Sequence, residues 1–153
     1  MANTNIGGVF SISTTPVESG DLPLDESGFA SLTYTPVPNM GSHGDTGVEQ
    51  NTVSYPSWDN LLTIQKKGAA TGTEYEVRFL DEPSAGMTAM LAAAVISNNQ
   101  DYAFKLEWPD GRIEYGAGTV KAPTFPKGEN ESFAEAVFTI ISNQEIVKST
   151  YSV

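Results

Sequence analysis

Three stretches in the second half of the chain set an apolar side chain at every second position, while only one stretch carries the three-to-four spacing of a helix. Thr73–Leu80 turns Tyr75, Val77 and Phe79 one way and Glu74, Glu76 and Arg78 the other. Tyr102, Phe104, Leu106 and Trp108 alternate with Ala103, Lys105 and Glu107; after Pro109, Asp110 and Gly111 come Ile113, Tyr115, Ala117 and Thr119. A period of two sends successive side chains to opposite faces of a pleated strand, so these segments predict half-buried strands. Proline presets the φ of a turn and glycine takes its left-handed position, so the two segments flanking Pro109–Gly111 predict a hairpin.

The helix is predicted over Ser84–Ser97. Asp81, Glu82 and Pro83 put negative charge and an early proline at its start, and Asn98 and Asn99 stop it. Met87, Met90, Leu91, Ala94 and Val95 fall on one stripe, of which Met87, Met90, Leu91 and Val95 are expected to pack on a sheet. A last strand, Glu131–Ile141, presents Phe133, Val137 and Ile141 against Ala136, Phe138 and Ile140. Being apolar on both faces, it is expected to be central or covered on its second side by a neighbouring subunit. Phe133, Val137, Phe138, Ile140 and Ile141 are therefore the candidates for core or subunit contact.

The first half is less regular. Ile6–Ser13 places Ile6, Gly8, Phe10 and Ile12 on one face and predicts a terminal strand. Thr14–Gly28 is rich in Pro, Gly, Asp and Ser and reads as loop. Ser31–Val37 alternates, and its prolines at 36 and 38 point to an edge strand or a strand end. Asn39–Gly47 reads as turn, Val48–Tyr55 as a strand of low apolar content, and Pro56–Gly72 as a long connection without a period.

Charge is distributed as unevenly as pattern. The first 65 residues hold seven carboxylates and no Lys or Arg; the first cations are Lys66 and Lys67. With a net charge of −11 and eight scattered cations, the chain lacks the clustered positive charge that phosphate binding needs. Such a chain is suited to meeting copies of itself, or to holding a polyanion off. At 153 residues the expectation is one domain, 1–153, burying roughly 70% of the surface of its unfolded chain. Cysteine is absent, which removes disulfides and thiolate metal sites. The first residues have no basic or apolar signal region, and the longest apolar run, Met87–Ile96, is shorter than a membrane span. The expectation is a soluble protein made in a cytoplasm.

Candidate chemistry is sparse. Asp45-Thr46-Gly47 has the letters of an aspartic-protease motif, but it stands alone and follows Ser42-His43-Gly44 where that motif needs an apolar strand, so it reads as a polar turn. His43, the sole histidine, has no partner at metal-ligand or triad spacing and reads as a loop side chain. Asp25-Glu26 and Asp81-Glu82 lack the alternating oxygens of a calcium loop. Asn130-Glu131-Ser132 fits a glycosylation acceptor without a secretory route. Trp108, on the apolar side of its strand, is expected in the core; Trp58, in a proline-containing loop, is the better candidate for an exposed anchor. No enzymatic activity, cofactor or metal is expected.

From Thr73 to about Lys148 the chain runs strand, Ala-rich helix, the hairpin strand Tyr102 to Arg112 with Trp108-Pro109-Asp110-Gly111 at its turn, a strand containing Gly116-Ala117-Gly118, and a late strand ending at Ile141-Ser142-Asn143. This order resembles the major tail tube proteins of long flexible-tailed, lambda-like siphovirus phages. The likeness covers about half the chain; the N-terminal half matches only in its acidic strand pair and long loop, and the C-terminal immunoglobulin-like domain of some relatives is not expected. The resemblance implies a mainly β fold with one α-helix, a β-sandwich or partial barrel whose sheets join between subunits into a ring. It implies a virion structural protein, made in the bacterial cytoplasm, that stacks as hexameric rings into a tail tube with an acidic channel for delivering double-stranded DNA. The expected partners are further copies, tail initiator or distal tail and tail terminator proteins, and a tape measure protein in the lumen before ejection. DNA passes without sticking and no membrane is involved. The segment 55–72 corresponds to the loop that bridges successive rings, with Trp58, Lys66 and Lys67 as its contacts. A monomeric β-sandwich binding module, carbohydrate-binding or adhesin-like, using Trp58 and the loop near His43, is the alternative.

Overall fold

The alternating segments pair almost entirely into one antiparallel sheet in a computed structural model, which describes residues 8–56, 58, 59, 61–130 and 132–149. Its strands are β1 (Val9–Ser13), β2 (Tyr34–Val37), β3 (Met40–His43), β6 (Glu74–Leu80), β7 (Tyr102–Glu107), β8 (Ile113–Val120) and β9 (Glu135–Ser142) in the lateral order β2-β1-β7-β8-β9-β6-β3, with β10 (Val147–Ser149) paired to β8. β4 (Val48–Tyr55) and β5 (Ile64–Gly72) form a separate two-stranded ribbon. The sheet is open, with β2 and β3 as its free edges, and Asn39 links those two strands at a positive φ of 60°.

The inward faces of the two halves of this sheet meet in the main core. Tyr75, Val77 and Phe79 of β6 and Phe138 and Ile140 of β9 pack with Phe10 and Ile12 of β1 and Tyr102 and Phe104 of β7. The Phe10 ring lies 5.5 Å from Phe79 and 5.7 Å from Phe104. The sheet curls until its halves face each other, which buries most of that side, with Met40 and Leu106 only partly covered. A second core forms on the back of β7 and β8, where Ala103, Ala117 and Tyr115 pack with Val17 and Phe29. That core explains why β7 and β8 are buried on both faces.

Several expected elements keep their places. The hairpin joins β7 to β8 with Gly111 at φ 95°, and the Gly111 N–H donates to Trp108 O at 3.0 Å. β9 is central, between β8 and β6, and β2 is an edge strand containing Pro36, as its prolines require. Ile6 and Glu131, expected in the first and last strands, lie outside the described residues.

Other segments differ from the sequence reading. Thr14–Gly28 is not all loop: a helix α1 (Glu26–Ala30) starts there, capped by Asp25, whose Oδ1 accepts from the Gly28 N–H at 2.7 Å. There are thus two α-helices and not one. Asn39–Gly47 is not all turn, because Met40–His43 pairs with β6 as an edge strand. The second half of 55–72 is β5, paired along its length to β4. Its residues, Gln65 to Gly72, are mostly polar or small and carry no alternation to read.

The helix α2 spans Ala85–Ala93 and ends a turn earlier than Ser97. Ser84 caps it, accepting from the Met87 N–H at 3.0 Å. Met87 and Met90 are buried, but Leu91 and Val95 face outward at 39% and 50% exposure, and Gly86 and Ala93 face the core in their place. The reason is that residues 85–96 are apolar on every side apart from Thr88, so the stripe alone does not select a face. Gly86 selects it: a Cβ there would stand 2.1 Å from the Pro36 carbonyl oxygen, so the helix backbone seats directly on β2.

Candidate functional site

The β4–β5 ribbon is rooted firmly, and beyond its root the described residues leave it largely uncovered. At its root the Thr73 N–H and Oγ1–H both donate to Gly47 O, and a Cβ on Gly72 would stand 2.1 Å from Ser142 O. Beyond the root, every β4 residue is exposed, and so is β5 apart from two half-buried glycines. Cross-strand pairs define its faces, because residues directly opposite each other share a side. Val53 with Lys66 and Tyr55 with Ile64 lie on one face; Thr52 with Lys67 and Ser54 with Gln65 lie on the other. One face is therefore mainly apolar, and beyond Tyr55 and Ile64 the tip adds Trp58, Leu61 and Leu62, of which Trp58 and Leu61 are fully exposed. An isolated two-stranded ribbon is marginal in water, and an uncovered apolar face of this kind marks an interaction surface.

The second feature is a cleft of about 730 Å³ between the β3 edge and the turn end of the β7–β8 hairpin. Met40, Leu106 and Trp108 supply apolar lining, and His43, Asp45 and Glu114 supply titratable groups. The Thr46 hydroxyl donates to Glu114 Oε1 at 2.6 Å, which ties the loop after β3 to the start of β8. Trp108 is half-buried, not core; the Arg112 guanidinium lies 4.8 Å from its ring centre and is itself paired to Asp110 at 3.0 Å. The hairpin turn places that arginine, so the expectation of a core tryptophan fails because Pro109–Gly111 carries the strand end clear of the sheet curl.

His43 is likewise not a loop side chain. Its ring stacks on Tyr75 at 5.0 Å and lies 5.7 Å from Phe10. The Gly44 carbonyl, 2.7 Å from Nδ1, can only accept, so Nδ1 carries the proton. Burial holds the imidazole below its usual 6.5 and outweighs the Gly44 carbonyl, Glu114 and Asp45, which pull the other way. A base with a lowered folded pKa takes up its proton more readily unfolded, so its stabilising contribution is complete above pH 6.5 and is lost as pH falls through 6.5 toward the folded value. The urea midpoint should therefore fall between pH 7.5 and 5.5, and His43→Gln should flatten that part of the profile. An unchanged slope in the variant would remove His43 as its source.

The remaining sequence candidates are dispersed. Lys66 and Lys67 point to opposite faces of the ribbon, and Trp58 stands at its tip. Val137, Phe138 and Ile140 are buried in β9, Ile141 is half-buried, and Phe133 precedes the strand at 77% exposure. Sequence reading missed Gln144, whose side-chain amide accepts from the Leu24 N–H and donates to the Leu24 carbonyl, pinning the loop before α1. It also missed Asp101, a buried carboxylate that accepts from Thr119 and Asn143 and has a structural role. Among the described residues no cluster of His, Cys, Asp and Glu could hold a metal ion, and no helix is long and apolar enough to cross a membrane.

No protein-family model matches the sequence, and no curated protein matches it. Solved structures match it in fold. A chain of the SPP1 tail tube superposes with a TM-score of 0.63 at 11% identity, over 97% of this chain and 81% of that one. The fold is that of the SPP1 tail tube. A chain from the tail of an empty gene transfer agent particle, helically refined with C6 symmetry, gives 0.62 at 11% identity over 97% and 100% of the two chains. A chain of the sheath–tube complex of an extracellular contractile injection system gives 0.59 at 12% identity over 94% and 88%. In the present chain this tail tube fold is mainly β, with an open antiparallel sheet.

Proposed function

We propose that this chain is a structural protein that polymerises into the tube of a phage tail, as stacked six-membered rings. The observation that carries the reading is the rooted ribbon, whose apolar face and tip have no cover from the described chain, on a fold shared with the SPP1 tail tube. Exposed apolar surface of this extent is a liability in a monomer and becomes an interface in an assembly.

Lateral contacts use the free edges. β2 and β3 end the sheet with no strand beyond them, and side-by-side contact between copies at these edges would cover both. Such a contact is heterologous, so its rotation either closes into a ring or runs on as a filament. The net charge of −11 suits a bore through which double-stranded DNA slides, because a basic lining would hold phosphate in a salt-dependent way. Ribbon contacts involving Trp58, Lys66 and Lys67 join successive rings. Capping, initiating and tape measure proteins would complete such a tail, in the virion. A monomeric binding module is the competing reading, favoured by the cleft beside Trp108.

Concentrated protein viewed by negative-stain microscopy should show tubes or six-fold rings. Lys66→Glu with Lys67→Glu should weaken assembly modestly per subunit, since each exposed ion pair contributes about 0–1 kcal/mol, and visibly through repetition around a ring. A monomer at every concentration, with a thermal midpoint raised by a sugar, would replace the tube with the binding module.

A further inference from the structure

The tail tube reading leaves open what the ribbon tip touches. Accepting that reading, we infer that the tip of one copy's ribbon seats in the cleft beside β3 of a second copy.

Shape, polarity and charge each favour this receiving surface. The tip offers Tyr55, Trp58, Leu61 and Leu62 as exposed apolar groups, and the cleft offers Met40, Leu106 and Trp108 as apolar lining with space for an indole. From Val48 to Gly72 the ribbon carries Lys66 and Lys67 against Glu49 and Asp59, neutral in a chain of net −11, and Lys66 shares the apolar face with Val53, Tyr55 and Ile64. The cleft carries Asp45 and Glu114, and its one bordering arginine is already paired to Asp110. An aromatic tip with one lysine behind it on the same face thus meets an acidic, apolar recess. Leu91 on α2, with Val95 and Ile96 just after it, is the other apolar candidate, but residues 85–96 hold no charge to receive Lys66.

Ribbon length makes the contact intermolecular. Val48 starts the ribbon three residues after Asp45, and its eight-residue strand rises roughly 26 Å at about 3.3 Å per residue. The tip therefore stands about that far from its own cleft. Each copy has one tip and one cleft on different surfaces, so the contact is head-to-tail, and under the stacked-ring reading it links one ring to the next. All four residues of β3 line the cleft, so a seated tip and a side-by-side neighbour both border that strand.

The absence of cysteine permits a direct test. Leu61→Cys at the tip and Ser42→Cys on the exposed cleft rim are made in separate chains, mixed, oxidised and analysed by mass spectrometry, with thermal midpoints checked against the parent. A disulfide requires Cα atoms within about 7 Å, so it reports seating and not mere proximity. The 42–61 adduct should greatly exceed its statistical share over the 42–42 and 61–61 adducts. Trp58→Ala should suppress that excess and raise the concentration for half-assembly about tenfold or more, as loss of a central aromatic anchor does. Tubes in the microscope with only statistical cross-linking would overturn the cleft as the receiving site and leave the tube standing. A dominant 42–61 adduct without rings or tubes would do the reverse. Statistical cross-linking with no particle larger than one chain would end both.

Discussion

Phe79→Ala is expected to lower the free energy of unfolding by about 3–5 kcal/mol, the range for removing a buried aromatic ring. Phe79 is fully buried on β6, 5.5 Å from Phe10 and 6.1 Å from Phe138, so it touches both halves of the curled sheet. Its register partners are Ala136 on β9 and Met40 on β3, and small Ala136 offers little that can collapse into the space left behind. Against a total stability of about 5–15 kcal/mol, this loss runs from about a fifth to the whole of what holds the chain folded. Urea unfolding of the variant measures it directly, with Phe79→Leu as the milder control. A loss below about 1 kcal/mol would mean that the sheet halves do not close on this ring.

The second large effect runs against helix propensity. Glycine inside a helix ordinarily costs about 1 kcal/mol relative to alanine, so Gly86→Ala in α2 would stabilise an isolated helix. Here the added Cβ would stand 2.1 Å from Pro36 O and 2.6 Å from the Val37 Cα, both backbone atoms that no rotamer change can move aside. The helix must lift off β2, and overpacking of this kind costs about 1–3 kcal/mol or more. The thermal midpoint should fall by roughly 2–4 °C for each kcal/mol lost. Gly20→Ala, where nothing lies within 4 Å of the added atom, should leave the midpoint near that of the parent. A stabilised Gly86→Ala variant would detach α2 from β2.

The ribbon shows how unevenly sequence reports structure. β6, β7, β8 and β9 each have a face buried by the same chain, so alternation or continuous apolarity marks them. β5 half-buries only Gly68 and Gly72, so selection for a buried face left no pattern in Gln65–Gly72, and pairing with β4 supplies its order. The cleft was harder still to read. His43, Thr46 and Glu114 lie up to 71 positions apart and look like turn and surface residues singly; the curl of the sheet and the β3–β6 pairing bring them to one recess.

What sequence alone determined about this protein was the type of its elements and its electrostatic character. Side-chain periodicity, turn residues and the charge total are local or additive quantities, and they pointed to a β-rich, acidic chain with a Pro109–Gly111 hairpin and a helix starting after Pro83. Only the tertiary structure decided which face of α2 is inward, which strands form the sheet edges, and that an apolar tip stands clear of its own core. Those depend on contacts between distant segments: Gly86 on the Pro36 carbonyl, β3 along β6, and Gly72 against Ser142. No window of neighbouring residues contains both members of any such pair.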